Sequence, residues 1–192
     1  MADNFPDSMV IYEPFCIDKE HCPINSMFVN SYRLNSENTS ITFIAEKSHI
    51  NSVKEYLSSY NTCNIIFKEI KICRNLRFKY LSVFIEFINL YKIRKFSNNL
   101  FICSITKPLL ISLKILSLFD KNLKFTIVPH AILNNVIIKT DNIFLKIKYI
   151  FLYFTSFRFW ISNFNSSKFN YIILGKPIYN NLKNHIPNLA SY

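Results

Sequence analysis

Residues 41–70 read ITFIAEKSHINSVKEYLSSYNTCNIIFKEI. The opening run, residues 41–45, is short and apolar on both faces, which suits a strand covered on both sides by helices. Residues 48–57 then have helical character, with Ser48 as the expected N-cap. Residues 64–70 return to β-branched and aromatic side chains and read as another strand. Strand, helix, strand at this spacing is a βαβ unit, whose strands run parallel and whose crossover is expected to be right-handed.

The same alternation extends in both directions. Upstream, residues 9–12 read as the first strand and 24–34 as a helix entered from the loop containing Pro23. Downstream, residues 76–96 predict a long amphipathic helix that carries Arg77, Arg94 and Lys95. A fourth strand is expected over 100–105, then a helix over 108–118 with Pro108 in its first turn. Residues 125–128 give a fifth strand, 134–162 a mainly helical stretch with a break near Thr140 and Asp141, and 171–174 a sixth strand ending at Gly175. A polar loop covers 163–170. The expected fold is α/β: a Rossmann-like, doubly wound, mostly parallel sheet of about six strands with helices on both faces. A single domain over 1–192 accommodates it.

Composition agrees with a folded globule: 50% of residues are hydrophobic, 16% aromatic and only 18% charged. Ile, Asn, Lys, Phe and Tyr recur throughout, the bias expected of an AT-rich coding sequence, so part of the net charge of +11 is compositional. Its distribution is more telling. Residues 1–50 carry −4 and residues 51–192 carry +15, an asymmetry that favours a localised basic surface. No named nucleic-acid motif accompanies it, so no nucleic-acid partner is expected.

Residues 1–7 lack the basic and apolar regions of a secretory signal. The five cysteines, Cys16, Cys22, Cys63, Cys73 and Cys103, form an odd set without disulfide-framework spacing. Both features predict a cytoplasmic protein with reduced thiols. The longest uncharged apolar run near 149–157 is stopped by Lys148 and Arg158, too short to span a bilayer. Residues 76–96 and 143–164 nevertheless combine broad apolar faces with Lys and Arg, as helices lying on a membrane surface do, and a basic solvent side on a core helix gives the same pattern.

One glycine in the whole chain excludes two phosphate cradles. A GxGxxG dinucleotide turn and a P-loop both need several glycines to bring backbone close to phosphate, so no NAD or P-loop nucleotide cofactor is expected. Cys16, His21 and Cys22 match no zinc spacing, and no metal is expected. Cys16 has no triad partners by spacing, which argues against a nucleophile.

In open α/β sheets ligands gather at the carboxyl ends of the strands, near the point where strand order reverses. The loop after the first strand, Glu13-Pro-Phe-Cys-Ile-Asp-Lys-Glu-His-Cys-Pro-Ile-Asn25, therefore draws attention. A carboxylate beside an imidazole is equipment for taking a proton from a hydroxyl, which makes Glu20 and His21 candidate bases. An exposed loop histidine and a helix N-terminal charge would look the same. Glu13, Asn25, Ser104, Thr106 and His130 are candidate substrate contacts by position, His130 equally as a cap of the following helix.

These segments resemble the N-terminal domain of bacterial two-domain glycosyltransferases of the GT-B type, found in capsule and lipopolysaccharide gene clusters. Residues 11–25 look like their first-strand loop, Val128-Pro-His-Ala131 like the fifth-strand turn, and 171–178 like the last strand before the interdomain linker. The resemblance implies an acceptor-side domain in which Glu20 or His21 is the base and His130 touches acceptor or donor phosphate. It also implies a nucleotide-sugar donor held by a C-terminal domain that has no counterpart in these residues. Transfer to a surface-polysaccharide precursor would then require a second, donor-binding domain or subunit. Two alternatives remain open: a non-catalytic module docking a partner protein or an anionic membrane surface, and a truncated fragment without function.

Overall fold

Met9 and Ile11 belong to one apolar cluster and Val10 and Tyr12 to another, and all four are buried. Successive strand residues point to opposite faces, so this strand is covered on both. The computed structural model describes residues 8–35, 40–60, 62–71, 79–129, 143–145, 147, 159–160 and 167–182. In chain order these form β1 (Ser8–Tyr12), α1 (Cys22–Asn35), β2 (Ser40–Ala45), α2 (Lys47–Tyr56), β3 (Ile65–Glu69), α3 (Lys79–Ile93), β4 (Asn99–Ile102), α4 (Lys107–Phe119), β5 (Lys124–Ile127), β6 (Phe169–Tyr171) and α5 (Lys176–Leu182).

The six strands make one sheet in the order β3-β2-β1-β4-β5-β6, and every neighbouring pair is parallel. The fold is the expected Rossmann-like α/β sheet. Strand order reverses between β1 and β4, where Ile11 lies opposite Phe101 and Tyr12 opposite Ile102. Ile11, Ile41, Phe43 and Phe101 join Val29 of α1 and Val53 of α2 on one face. Val10, Tyr12, Leu100, Ile102, Phe125 and Ile127 join Leu90 of α3 and Leu113 of α4 on the other. Burial of each such side chain contributes about 1.5–3 kcal/mol, and these two layers supply most of the drive to fold.

Four boundaries differ from the sequence reading. α2 is capped by Glu46, not Ser48: the Glu46 carboxylate accepts from Ser48 N at 2.6 Å, while the Ser48 hydroxyl accepts from Asp18 N at 3.0 Å. Ser48 is thus spent on tying the loop after β1 to the helix. Pro23 lies inside the first turn of α1, where its missing N–H costs nothing, not in a preceding loop. β4 stops at Ile102, three residues before the expected end, because Thr106 becomes the N-cap of α4 and the chain must turn toward it. β6 covers Phe169–Tyr171, not 171–174: Phe169 stacks on Phe125 with centroids 5.0 Å apart and fixes the pairing earlier. Most of the expected 134–162 helical stretch lies outside the described residues, and the part that is described is helical. Among the described residues no helix is long and apolar enough to cross a membrane.

Two ionisable side chains sit in the α3–α4 layer. Lys114 is fully buried, its Nζ 4.0 Å from the Phe169 ring centroid and 3.5 Å from Tyr171 Oη, and desolvation lowers its pKa to about 8. Glu86 of α3 accepts from Tyr12 Oη at 3.2 Å, and burial pushes its carboxyl up to about 7 against the opposing effect of that hydrogen bond. The folded chain therefore holds the Glu86 proton more tightly than the unfolded chain does. Its contribution to stability is greatest below the ordinary value of 4.5 and is lost as pH rises to about 7. Glu86→Gln keeps an acceptor for Tyr12 without the charge. The variant should melt about 3 °C above the parent at about pH 8, with the gap closing in acid, as thermal unfolding across pH will report.

Candidate functional site

The chain leaves β1 at Tyr12 and places Glu13 directly beyond it, its N–H still bonded to Ile44 O at 2.9 Å. The side chain is fully buried at the point where strand order reverses. Oε1 accepts from the N–H groups of Phe15, 2.9 Å, and Cys16, 3.1 Å. Oε2 accepts from Ser104 Oγ at 2.7 Å and from Asn25 Nδ2 at 3.2 Å. A carboxylate offers about four acceptor sites, and donors occupy them all. The Ser104 contact bridges the ends of β1 and β4, ninety-one residues apart in sequence.

The network continues through Asn25 to His49. Asn25 Nδ2 lies 2.9 Å from His49 Nε2, and His49 Nδ1 lies 2.9 Å from the carbonyl oxygen of Asp18. That carbonyl can only accept, so Nδ1 carries the proton; Nε2 then accepts the second Asn25 hydrogen, a tautomer assigned from its partners. Asp18 takes a left-handed φ of 47°. This lets its N–H reach Ser48 Oγ while its carbonyl meets both His49 and, at 3.3 Å, Cys22 Sγ. Such a conformation costs a non-glycine residue about 1–3 kcal/mol and persists only where surroundings enforce it.

The sequence-predicted residues divide into two groups. Glu13, Asn25 and Ser104 are brought together in this buried network. Glu20 and His21 lie outside it, exposed on the loop rim; Glu20 Oε2 accepts from Ile17 N at 3.0 Å, and His21, at φ 52°, offers its carbonyl to Asn25 N. Thr106 is half-buried and caps α4, its Oγ1 3.4 Å from Leu109 N. His130 lies outside the described residues. His49 was not among the sequence candidates. It shares a helix stripe with Ile50 and Val53, so its signal was a polar residue on an apolar face.

Three thiols line the same region and none is poised to react. Burial pushes Cys16 up to about 12, helped by the Glu13 charge, and Cys103 is raised well above its ordinary value by the same two effects. Burial also raises Cys22. The nucleophile and the metal ligand are both thiolates, so these cysteines act as packing. Among the described residues no three His, Cys, Asp or Glu side chains are grouped to hold a metal ion.

Fold and site together define a parallel α/β domain whose switch point is closed by a saturated carboxylate and rimmed by an exposed acid–imidazole pair. No known protein family matches the chain, and no curated protein matches it.

Removing the Glu13 charge turns one oxygen into an amide donor facing groups that are already donors. Glu13→Gln should destabilise the fold by about 3 kcal/mol, read as a lower urea midpoint at unchanged slope, whereas Glu20→Gln on the exposed rim should stay within about 0.5 kcal/mol.

Proposed function

We propose that the chain is the acceptor-side domain of a GT-B type glycosyltransferase, moving a sugar from a nucleotide-sugar to a surface-polysaccharide precursor when a second domain or subunit supplies the donor site. The observation that carries this reading is the loop after β1. Its inner side is held by Glu13 at the switch point, and its outer side presents Glu20 and His21 to solvent at the carboxyl ends of the strands. Ligands of open parallel sheets bind at that location.

In this reaction the acceptor hydroxyl attacks the anomeric carbon of the donor, the bond to the nucleoside diphosphate breaks, and the hydroxyl proton passes to a base. Glu20 or His21 is that base. Glu13 is not, because all its acceptor positions are filled, and it serves to hold the loop in place. Asn25 and Ser104 support Glu13 from below. Thr106, on the neighbouring loop after β4, faces the acceptor. On this reading the enzyme works in the cytoplasm, at the inner face of the membrane.

The test has two parts. Calorimetry with a panel of nucleotide-sugars should show binding only when the donor-binding protein is present with the chain. Transfer by that pair should fall by about 10²–10⁴ in whichever of Glu20→Gln and His21→Asn removes the base, with melting unchanged. Full transfer in both variants would overturn the assignment of the base. Absence of nucleotide-sugar binding in every combination would favour the non-catalytic docking module instead.

A further inference from the structure

α4 buries Leu109, Leu110, Leu113 and Leu116 against the sheet, yet its last two residues, Leu118 and Phe119, are 66% and 77% exposed. They protrude at the amino-terminal edge of the sheet, since Lys124 N bonds Asn98 O at the start of β4 and β5. Glu13 and Ser104 lie at the other end of the strands, about 13 Å away for a strand of four residues.

The surroundings of this tip are basic. Arg94 at the end of α3 pairs with Asp120 at the end of α4, 2.9 Å, and so brings the two helix ends side by side. Exposed Lys92 and Lys95 come from the first end, Lys121 and Lys124 from the second. Lys168 Nζ, bonded to the carbonyls of Ser117 and Asp120 at 2.5 and 3.1 Å, fixes the helix terminus from which Leu118 and Phe119 project. Asp120 is the acidic residue among these, and its carboxylate is engaged by Arg94 and by Asn122 N.

We propose that this end of the molecule docks on an anionic lipid bilayer, with Leu118 and Phe119 inserted at the acyl boundary and the four lysines at the phosphate plane. Apolar side chains at a protruding helix tip fit between lipid tails. Lysine stems lie along the apolar surface while their ammonium groups stay with the headgroups. Neither signal alone gives stable attachment, and here both occur on one surface. A nucleic acid would use the lysines and leave Leu118 without a role, because affinity there comes from phosphate neutralisation. The proposal deepens the membrane placement of the transferase reading but does not rest on its base assignment, whose residues lie at the opposite end of the strands.

Cosedimentation of the full chain with vesicles provides the test. Binding is expected to mixed phosphatidylglycerol–phosphatidylcholine vesicles and not to phosphatidylcholine alone, and it should weaken with salt. Lys121→Gln and Lys124→Gln should each lower the partition coefficient about fivefold. Leu118→Ser with Phe119→Ser should lower it more than about tenfold, with the urea transition of every variant unchanged. Equal binding to both vesicle types, no binding to either, or affinity indifferent to the double serine variant would overturn the proposal. So would tighter retention on duplex DNA that depends on the lysines and ignores Leu118 and Phe119.

Discussion

The Glu13 carboxylate is the constraint on which the carboxyl end of the sheet depends. Four donors from three separate stretches of chain converge on one buried charge: the loop after β1, the first turns of α1, and the turn after β4. Without it the buried backbone N–H of Cys16 would lose its carboxylate acceptor, and the loop that carries Glu20 and His21 would lose its inner anchor. Through Asn25 the same charge orients the His49 imidazole, which in turn holds Asp18. Side-chain chemistry here does what ladder hydrogen bonds do elsewhere, at the one place where adjacent strands diverge and their connections leave in opposite directions.

The sheet was legible because its central strands β1, β2 and β4 are short apolar runs with both faces covered, and such runs separate cleanly from the amphipathic helices between them. β1, β2, β3 and β5 lie within a residue of their expected positions. At two of the four boundaries that differ, a long-range contact had taken over a local signal. Ser48 looks like an N-cap until its hydroxyl is claimed by Asp18, and residues 171–174 look like a strand until the Phe125–Phe169 stack sets the register. Of the site, the grouping of Glu13, Asn25 and Ser104 at the strand ends was legible, whereas their mutual saturation was not, because it depends on partners up to ninety-one residues apart. His49 was hidden, because a buried histidine on a helix stripe differs from a core residue only through partners that sequence does not reveal.

Charge is unevenly placed over the described residues. Glu13, Asp18, Glu20 and Glu46 gather near the carboxyl ends of β1 and β2, whereas Lys92, Lys95, Lys121 and Lys124 surround the beginnings of β4 and β5. Among the described residues, these acidic groups come from the first fifty positions and these lysines from the remainder, while Lys19, Lys47, Lys68 and Lys107 also lie toward the carboxyl ends of the strands. A localised lysine cluster of this kind orients a molecule in the field of an anionic surface before any contact forms.

Asp18 and His21 adopt backbone angles that glycine ordinarily supplies, in a chain that has a single glycine, and that one sits elsewhere. A glycine at either position would let the loop wander in the free protein. As built, hydrogen bonds to Ser48, His49 and Glu13 hold the backbone of the rim, which lowers the ordering entropy a ligand would have to overcome there. On the proposed transferase reading, recognition at this rim would be a matter of preorganisation, with the ligand obliged to match a backbone that is already held in place.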